Sequence, residues 1–475
     1  MARTILAIDI GSVKVCAIIA EIDDNNDITI IGHGKTKSQG VKKGIITNIE
    51  SASRSIKMAI KDARRMAGNN ISVATISISN AYAKSVNSTG IINITHQDIT
   101  LVDIKRAMDA ALHNARVPND YEVVHILPFN FRVDDQVSID DPYGMNASRL
   151  EVEVNIVMTP KTALRNLQKT VLSAGIEIEG IVLNSYASAI AAISEDERTL
   201  GVCVIDMGGQ TSNMIIHLGN SIRYTHFLPV GSNNITKDLS LALQTPLAVA
   251  ENLKIKHGNL LERSNDTIEV PIVGDENNKN EVSLEMVHNI ISARVQETLM
   301  LLAKALIDSG LRESIGRRVV LTGGMVKLEG IREFANKIFQ DVSVRVGSPR
   351  ELTGIYKEMR DPSYSTVIGL LLYQAREHTQ YEINYNKELL HHKDITSDVG
   401  LRNLENVERD QKTKKGRNLP DNLDHRHRGG SGDAFIGGDD NYTGIPFDIH
   451  SFPTQHQGQS ISGIQRVKNW LKELF

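Results

Sequence analysis

Leu6-Ala7-Ile8-Asp9-Ile10-Gly11-Ser12 returns 197 residues later as Cys203-Val204-Ile205-Asp206-Met207-Gly208-Gly209. Each copy reads as a buried strand ending in an aspartate, a glycine-containing tight turn, and a second apolar strand, Val13 to Ala20 and Met214 to Leu218. Glycine lets the backbone come close to a ligand, and successive N–H groups in such a turn form a concavity for an anion. Two such hairpins facing one another would hold a polyphosphate from both sides. Asp9 and Asp206 would then suit a Mg²⁺ ion, which keeps several waters and takes few protein carboxylates. Lys14, three residues past Gly11, is placed to reach a phosphate as a point charge. A single Asp-x-Gly turn is also an ordinary β-hairpin; the repetition at two strand ends is what argues for a ligand. A third element, Val319-Val320-Leu321-Thr322-Gly323-Gly324, is a strand running into a glycine pair with room for the flat face of a base.

Outward from these turns, β-branched runs at Thr4–Ile8, Ile28–Ile31, Ile71–Ser79, Gly201–Ile205 and Val319–Leu321 alternate with helical periodicity. The spacing predicts helices over Ile49–Ala67, stopped by Gly68, over Pro160–Ala174, and over Leu284–Asp308. Strands and helices in this order give an α/β fold. Residues 84–159 break the rhythm with a strand (Gly90–Thr95), a helix (Thr100–Ala115) and two more strands (Glu122–Val133, Leu150–Met158). They form an inserted α+β subdomain.

At about 150 residues per domain, 475 residues make about three domain-sized units. The net charge of −4 excludes a globally basic nucleic-acid binder. Two cysteines, Cys16 and Cys203, make no disulfide scaffold and no cysteine-rich zinc site, and fit a reducing compartment. The first residues carry no signal-peptide pattern, and no apolar run of about 18 residues spans a bilayer. An intracellular chain is expected. From 379 to 459 only 20 of 81 residues are apolar, too few to offset the entropy of ordering, so a disordered linker is expected there.

Apolar periodicity returns over 460–475, which reads as an amphipathic helix. Ile461, Ile464, Val467, Trp470, Leu471, Leu474 and Phe475 occupy one half of the helical circumference, and Lys468 and Lys472 border it. Such a helix lies in a membrane interface, its apolar side chains in the acyl region and its lysines at anionic lipid head groups. An 81-residue flexible linker has a reach of about 50 Å, which suits a foot seeking a distant surface better than a helix docked on its own core.

The triplet Ile8-Asp9-Ile10-Gly11-Ser12, Ile205-Asp206-Met207-Gly208-Gly209 and Leu321-Thr322-Gly323-Gly324 resembles the phosphate-1, phosphate-2 and adenosine motifs of the actin/Hsp70/sugar-kinase ATPase superfamily. Within it, the chain is similar to the FtsA family of bacterial cell-division proteins. More specific marks are Val123-Val124-His125-Ile126-Leu127-Pro128, Ile255-Lys256-His257-Gly258 and Ser363-Tyr364-Ser365-Thr366-Val367-Ile368-Gly369-Leu370-Leu371.

The resemblance implies an actin-like two-lobed ATPase fold. Subdomain 1A would be 1–83 with about 160–198 and a final helix near 365–378; 1C (SHS2-like) would be the insertion 84–159. Subdomain 2A would be 199–240 and 316–364, and 2B would be 241–315. ATP would lie in the cleft, with Asp9 and Asp206 arranging water on Mg²⁺ and Gly11, Ser12, Gly208, Gly209 and Gln210 lining the phosphates. Gly323 and Gly324 would meet the adenosine. Glu251 and Lys254 match the pair that relatives place around ribose and base; their three-residue spacing is equally that of an exposed helical ion pair.

Two residues depart from the family's second turn: Gln210 stands for a third glycine and Asn213 for a second aspartate. Asn184 stands where hydrolytic relatives carry Gln or Glu, and an amide is no general base at neutral pH, so hydrolysis is expected to be slow at most. The implied partners are the C-terminal peptide of FtsZ, bound by about residues 240–315, further copies of the chain in a polymer, later division proteins, and anionic membrane lipids. The implied location is the cytoplasmic side of the cell membrane at the division septum. A small-molecule kinase or phosphatase of the same superfamily, and a pilus-assembly scaffold of FtsA-like fold, are the alternatives.

Overall fold

The computed structural model describes residues 2–391 except 80, 81, 220 and 263. The repeated hairpin grows into two five-stranded sheets of the same order and direction. In the first, Ile28–Lys37, Lys14–Ile22 and Arg3–Ile10 run antiparallel, and Val73–Ile78 and Glu177–Leu183 continue it in parallel. In the second, Ser221–Leu228, Ser212–Leu218 and Val202–Met207 are antiparallel, followed in parallel by Arg318–Thr322 and Ser343–Val346. The central strands are mainly apolar and buried because helices cover both faces.

Between the two sheets lie helices Asn184–Ala192 and Ser365–Gln374, both buried at every residue except the half-buried Gln374. One apolar core joins Ile5, Ala7 and Ile18 of the first sheet to Val204, Ile215 and Val320 of the second through Ala187, Ile190, Ile368 and Leu371. The two helices cross so closely that a Cβ on Gly369 would stand 1.7 Å from the Ala187 carbonyl oxygen. Only glycine permits that approach.

The outer face of the first sheet is covered by helices Ile49–Ala67 and Lys161–Ser173, which bury Ile56, Ala59, Ile60, Leu164, Leu167 and Val171. Asn48 caps the first of these by accepting from the Ser51 amide at 2.8 Å, and Gly68 ends it in the left-handed conformation. The second sheet's outer face carries helices Ser232–Leu243, Leu247–His257, Leu284–Asp308 and Ile331–Phe339, with a hairpin of Thr267–Ile272 and Asp275–Ser283.

Between Val73–Ile78 and Lys161–Ser173 stands a separate four-stranded antiparallel sheet. Its order is Lys84–Asn93, Arg149–Pro160, Tyr121–Val133, Gln136–Ile139. Helix Leu101–Asn114 lies against it, opened by a capping box of Thr100 and Asp103, and the pair has its own core of Ile104, Met108, Val152 and Ile156.

Residues 379–391, expected to begin the linker, belong to the folded body instead. Tyr381 and Glu382 are fully buried, and Ile383 pairs with Ile126 of the inserted sheet. Composition averaged over 81 residues hid this short return of the chain. The rest of the expected linker and the amphipathic helix at 460–475 lie outside the described residues.

Candidate nucleotide-binding site

The two hairpins match bond for bond. Across the ladder Asp9 faces Cys16 and Asp206 faces Asn213. The Gly11 amide donates to the Lys14 carbonyl at 3.0 Å, and the Gly208 amide donates to the Thr211 carbonyl at 2.8 Å. The tips meet across the cleft: a Cβ on Gly209 would lie 2.1 Å from Val13 Cγ2. Beyond the turn bonds, the amides of Ser12, Gly209 and Gln210 donate to no acceptor among the described residues.

Asp9 and Asp206 are both buried at the strand ends. Asp9 Oδ1 accepts from Ser77 Oγ at 2.9 Å, and that hydroxyl accepts in turn from the Ile10 amide at 3.0 Å. Asp206 Oδ2 accepts from Ser188 Oγ at 2.8 Å, Thr366 Oγ1 at 3.3 Å and Asn184 Nδ2 at 3.4 Å. Each carboxylate therefore keeps one oxygen, Asp9 Oδ2 and Asp206 Oδ1, with no donor among the described residues. Burial raises the pKa of Asp9, against the pull of Lys14 and Ser77. Burial pushes Asp206 up to about 6; Asp9's charge adds to this, and the Ser188 bond opposes it. Two buried carboxylates that repel one another are relieved by a cation between them.

A polar chain runs behind the pair. Asn213 Nδ2 donates to Asn184 Oδ1 and to Ser79 Oγ, both at 3.0 Å, and Ser79 Oγ is 3.2 Å from Thr211 Oγ1. Asn213 Oδ1 is buried without a partner among the described residues. Asn184, the first residue of its helix, is thus held at both ends of its amide, by Asn213 and by Asp206.

Other sequence-marked residues find different surroundings. Lys14 Nζ donates to the backbone carbonyl of Ser363 and lies 3.3 Å from that residue's Oγ and 4.0 Å from the centroid of the Tyr364 ring. Its charge still lowers the pKa of both aspartates. Gly323 packs against Asp206 itself: at φ +92°, a Cβ there would lie 2.4 Å from Asp206 Oδ1. Gly324 is open, its nearest neighbour for a Cβ being Ser363 Cβ at 3.8 Å. Glu251 and Lys254 do not form an exposed pair. Lys254 is buried and donates to Glu251 Oε2 at 2.7 Å and to Thr236 Oγ1 at 3.0 Å, on the facing helix.

The sequence reading did not single out Ser77, Ser188, Thr366 or a short hairpin at Val41–Ile46. That hairpin closes over the turns: the Lys43 amide donates to Gln210 Oε1 at 2.8 Å and the Gly44 amide to Ser12 Oγ at 2.9 Å. It fastens a side chain from each lobe to one loop. The alternation Ser77-Ile78-Ser79 at the end of an apolar strand was the available signal for the buried serines.

The chain matches the family model described as cell division protein FtsA over residues 203–369, and the SHS2 domain inserted in FtsA over residues 80–158. It is 39% identical over 410 residues to the cell division protein FtsA of Helicobacter pylori (strain ATCC 700392 / 26695), covering 80% of this chain and 83% of the relative. The chain belongs to the FtsA family of cell division proteins. The FtsA of Neisseria meningitidis serogroup B is 39% identical over 373 residues, with 78% and 89% coverage, and that of Escherichia coli K12 is 29% identical over 408, with 84% and 95%. Among solved structures, a PilM–PilN type IV pilus biogenesis complex matches with a TM-score of 0.57 at 14% identity, covering 78% of this chain and 98% of that one. That likeness is one of fold. The α/β fold with two actin-like lobes and an inserted subdomain, which the resemblance implied, is the fold this chain adopts. Among the described residues no helix is long and apolar enough to cross a membrane.

Proposed function

We propose that this FtsA-family chain binds Mg²⁺–ATP between its lobes and anchors a polymer of FtsZ to the inner face of the cytoplasmic membrane at the septum. The observation that carries the nucleotide reading is the pair of matched hairpins, each offering one buried carboxylate oxygen and unengaged amides to the same cleft. Asp9 and Asp206 would hold water on the metal, the unengaged amides of Ser12, Gly209 and Gln210 would donate to the phosphates, and Gly11 and Gly208, whose amides close the two turns, would line them without a side chain in the way. When bound, the metal supplies charge neutralisation at the phosphates. Gly324 faces open space suited to the base, and Glu251 with Lys254 would support the ribose side from beneath.

Asn184 carries no proton-accepting group of useful basicity, and its amide is already committed to Asp206 and Asn213. Water is then poorly oriented for attack, and turnover is slow while binding is kept. ATP acts as a structural ligand that holds the lobes in an assembly-competent form. Isothermal titration should show tight Mg²⁺–ATP binding with little phosphate release; rapid steady-state hydrolysis by the pure protein overturns this.

In the same reading residues 1–83, about 160–198 and 365–378 form subdomain 1A, 84–159 form 1C, 199–240 with 316–364 form 2A, and 241–315 form 2B. Subdomain 2B takes the FtsZ peptide, 1C meets neighbouring copies and later division proteins, and the helix 460–475 holds anionic lipid. Many feet on one polymer bind through effective concentration where one is weak. Vesicle co-sedimentation of Trp470→Glu and of a chain ending at Gln459 tests the foot, and undiminished pelleting of both rules it out. Deleting residues 460–475 in cells should give undivided filaments.

A further inference from the structure

Helices Ile49–Ala67 and Lys161–Ser173 lie side by side over the first sheet and turn their other faces to solvent. Together they carry eight basic residues, Arg54, Lys57, Lys61, Arg64, Arg65, Lys161, Arg165 and Lys169, against two acidic ones, Glu50 and Asp62. The second helix has no acidic residue at all. A formal charge of +6 on this face in a chain of net −4 leaves −10 for everything else.

Part of that charge is internally engaged. Arg54 pairs with Glu50 at 2.9 Å and Arg65 with Asp62 at 3.3 Å, while Arg64 Nη2 donates to the Ile71 carbonyl at 2.7 Å and Lys161 to the Asn119 carbonyl at 2.8 Å. Lys57, Lys61, Arg165 and Lys169 are exposed and make no hydrogen bond or ion pair among the described residues. Beside them is a surface hollow of about 490 Å³ lined by Lys57, Lys61, Arg64, Arg65 and Asn70. Interspersed with the cations are three exposed apolar side chains, Met58, Met66 and Leu172, at 55%, 42% and 57% exposure.

We infer that this two-helix face is a second membrane contact, made by the folded body itself with anionic lipid head groups. Long basic side chains around exposed apolar ones are what an interface between water and acyl chains takes up. An acidic peptide would leave the three apolar groups unanswered. The remainder of the chain carries a net −10, so an anionic plane favours presentation of this face over the rest of the body, and the charge asymmetry contributes to orientation as well as affinity. Near the last of the described residues, the Tyr385 hydroxyl accepts from Gln168 Nε2 of the second helix at 2.5 Å. The inference rests on the membrane reading above, yet concerns different residues.

The test uses the full chain on vesicles of phosphatidylcholine with and without phosphatidylglycerol, over a range of salt. The variant Lys57→Glu/Lys61→Glu/Arg165→Glu/Lys169→Glu should lose on the order of tenfold or more in partition to the anionic vesicles at low salt, with a flatter salt dependence. The milder fourfold change to Gln should fall between it and wild type with an unchanged melting curve. If both variants partition like wild type, the face is not a lipid contact, and loss with Trp470→Glu alone would leave the foot standing without it. Loss in the charge variants with none in Trp470→Glu would keep the face and remove the foot. Equal loss on neutral and anionic vesicles would also overturn the inference, because head-group charge would not be what is read.

Discussion

Replacing Asp206 by Asn should make the ligand-free protein more stable at pH 8, not less. In the folded chain burial holds Asp206 at about 6, against an ordinary 3.8. About 2 pKa units correspond to about 3 kcal/mol by which ionising this carboxyl opposes folding. A raised carboxyl pKa contributes stability below the unfolded value, and that stability is lost as pH rises through about 6. The full penalty therefore applies at pH 8 and roughly half of it at pH 5. Asparagine keeps the shape: its carbonyl can take the place of Oδ2 and accept from Ser188, Thr366 and Asn184, while its amide nitrogen replaces the oxygen that has no donor. Differential scanning fluorimetry should place the ligand-free variant about 5 °C above wild type at pH 8, with a smaller margin at pH 5. Adding Mg²⁺–ATP should reverse the order, because only the wild type gains from a cation at that oxygen. A variant that melts below wild type by the same amount at both pH values would refute the argument that the cost of burying this carboxylate charge is stored for a ligand.

Three further outcomes follow from groups away from the cleft. His217 is buried, neither ring nitrogen has a hydrogen-bond partner among the described residues, and burial, helped by Arg198, pushes its pKa down to about 3. Its depressed pKa costs stability as pH falls below 6.5, about 2 kcal/mol by pH 5, so His217→Leu should flatten the acid limb of the melting profile by that amount. Gly369→Ala should cost about 3 kcal/mol or more, since its Cβ would stand 1.7 Å from the Ala187 oxygen between two buried helices; an unchanged urea midpoint would contradict that crossing. Glu382→Ala would strip the acceptor from His125 Nδ1 at 2.6 Å and from the hydroxyls of Tyr186 at 2.9 Å and Tyr373 at 2.8 Å. A loss of about 3–5 kcal/mol is expected, with early proteolysis of 379–391; a loss under about 1 kcal/mol would mean the segment is held some other way.

The fold was legible because its deciding signal is local and doubled. Seven residues specify strand and turn, an apolar return strand follows directly, and a second copy at a fixed offset implies a second sheet of like order. Helix Ile49–Ala67 was equally readable, since its buried residues, its Asn48 cap and its Gly68 stop are all written within one stretch. The surroundings of the aspartates were not, because Ser77, Ser188 and Thr366 come from three elements and no short-range pattern joins them. The departures Gln210 and Asn213 illustrate the difference. In sequence they read as an eroded phosphate turn. In space Gln210 spends its carbonyl on the Lys43 amide, fastening one lobe's turn to the other lobe's hairpin. An aspartate at 213 would add a third carboxylate to a pair already strained by burial, and could not donate to Asn184 and Ser79. The exchange trades charge for a donor and fixes Asn184 in place, the arrangement that the proposed binding without rapid hydrolysis requires.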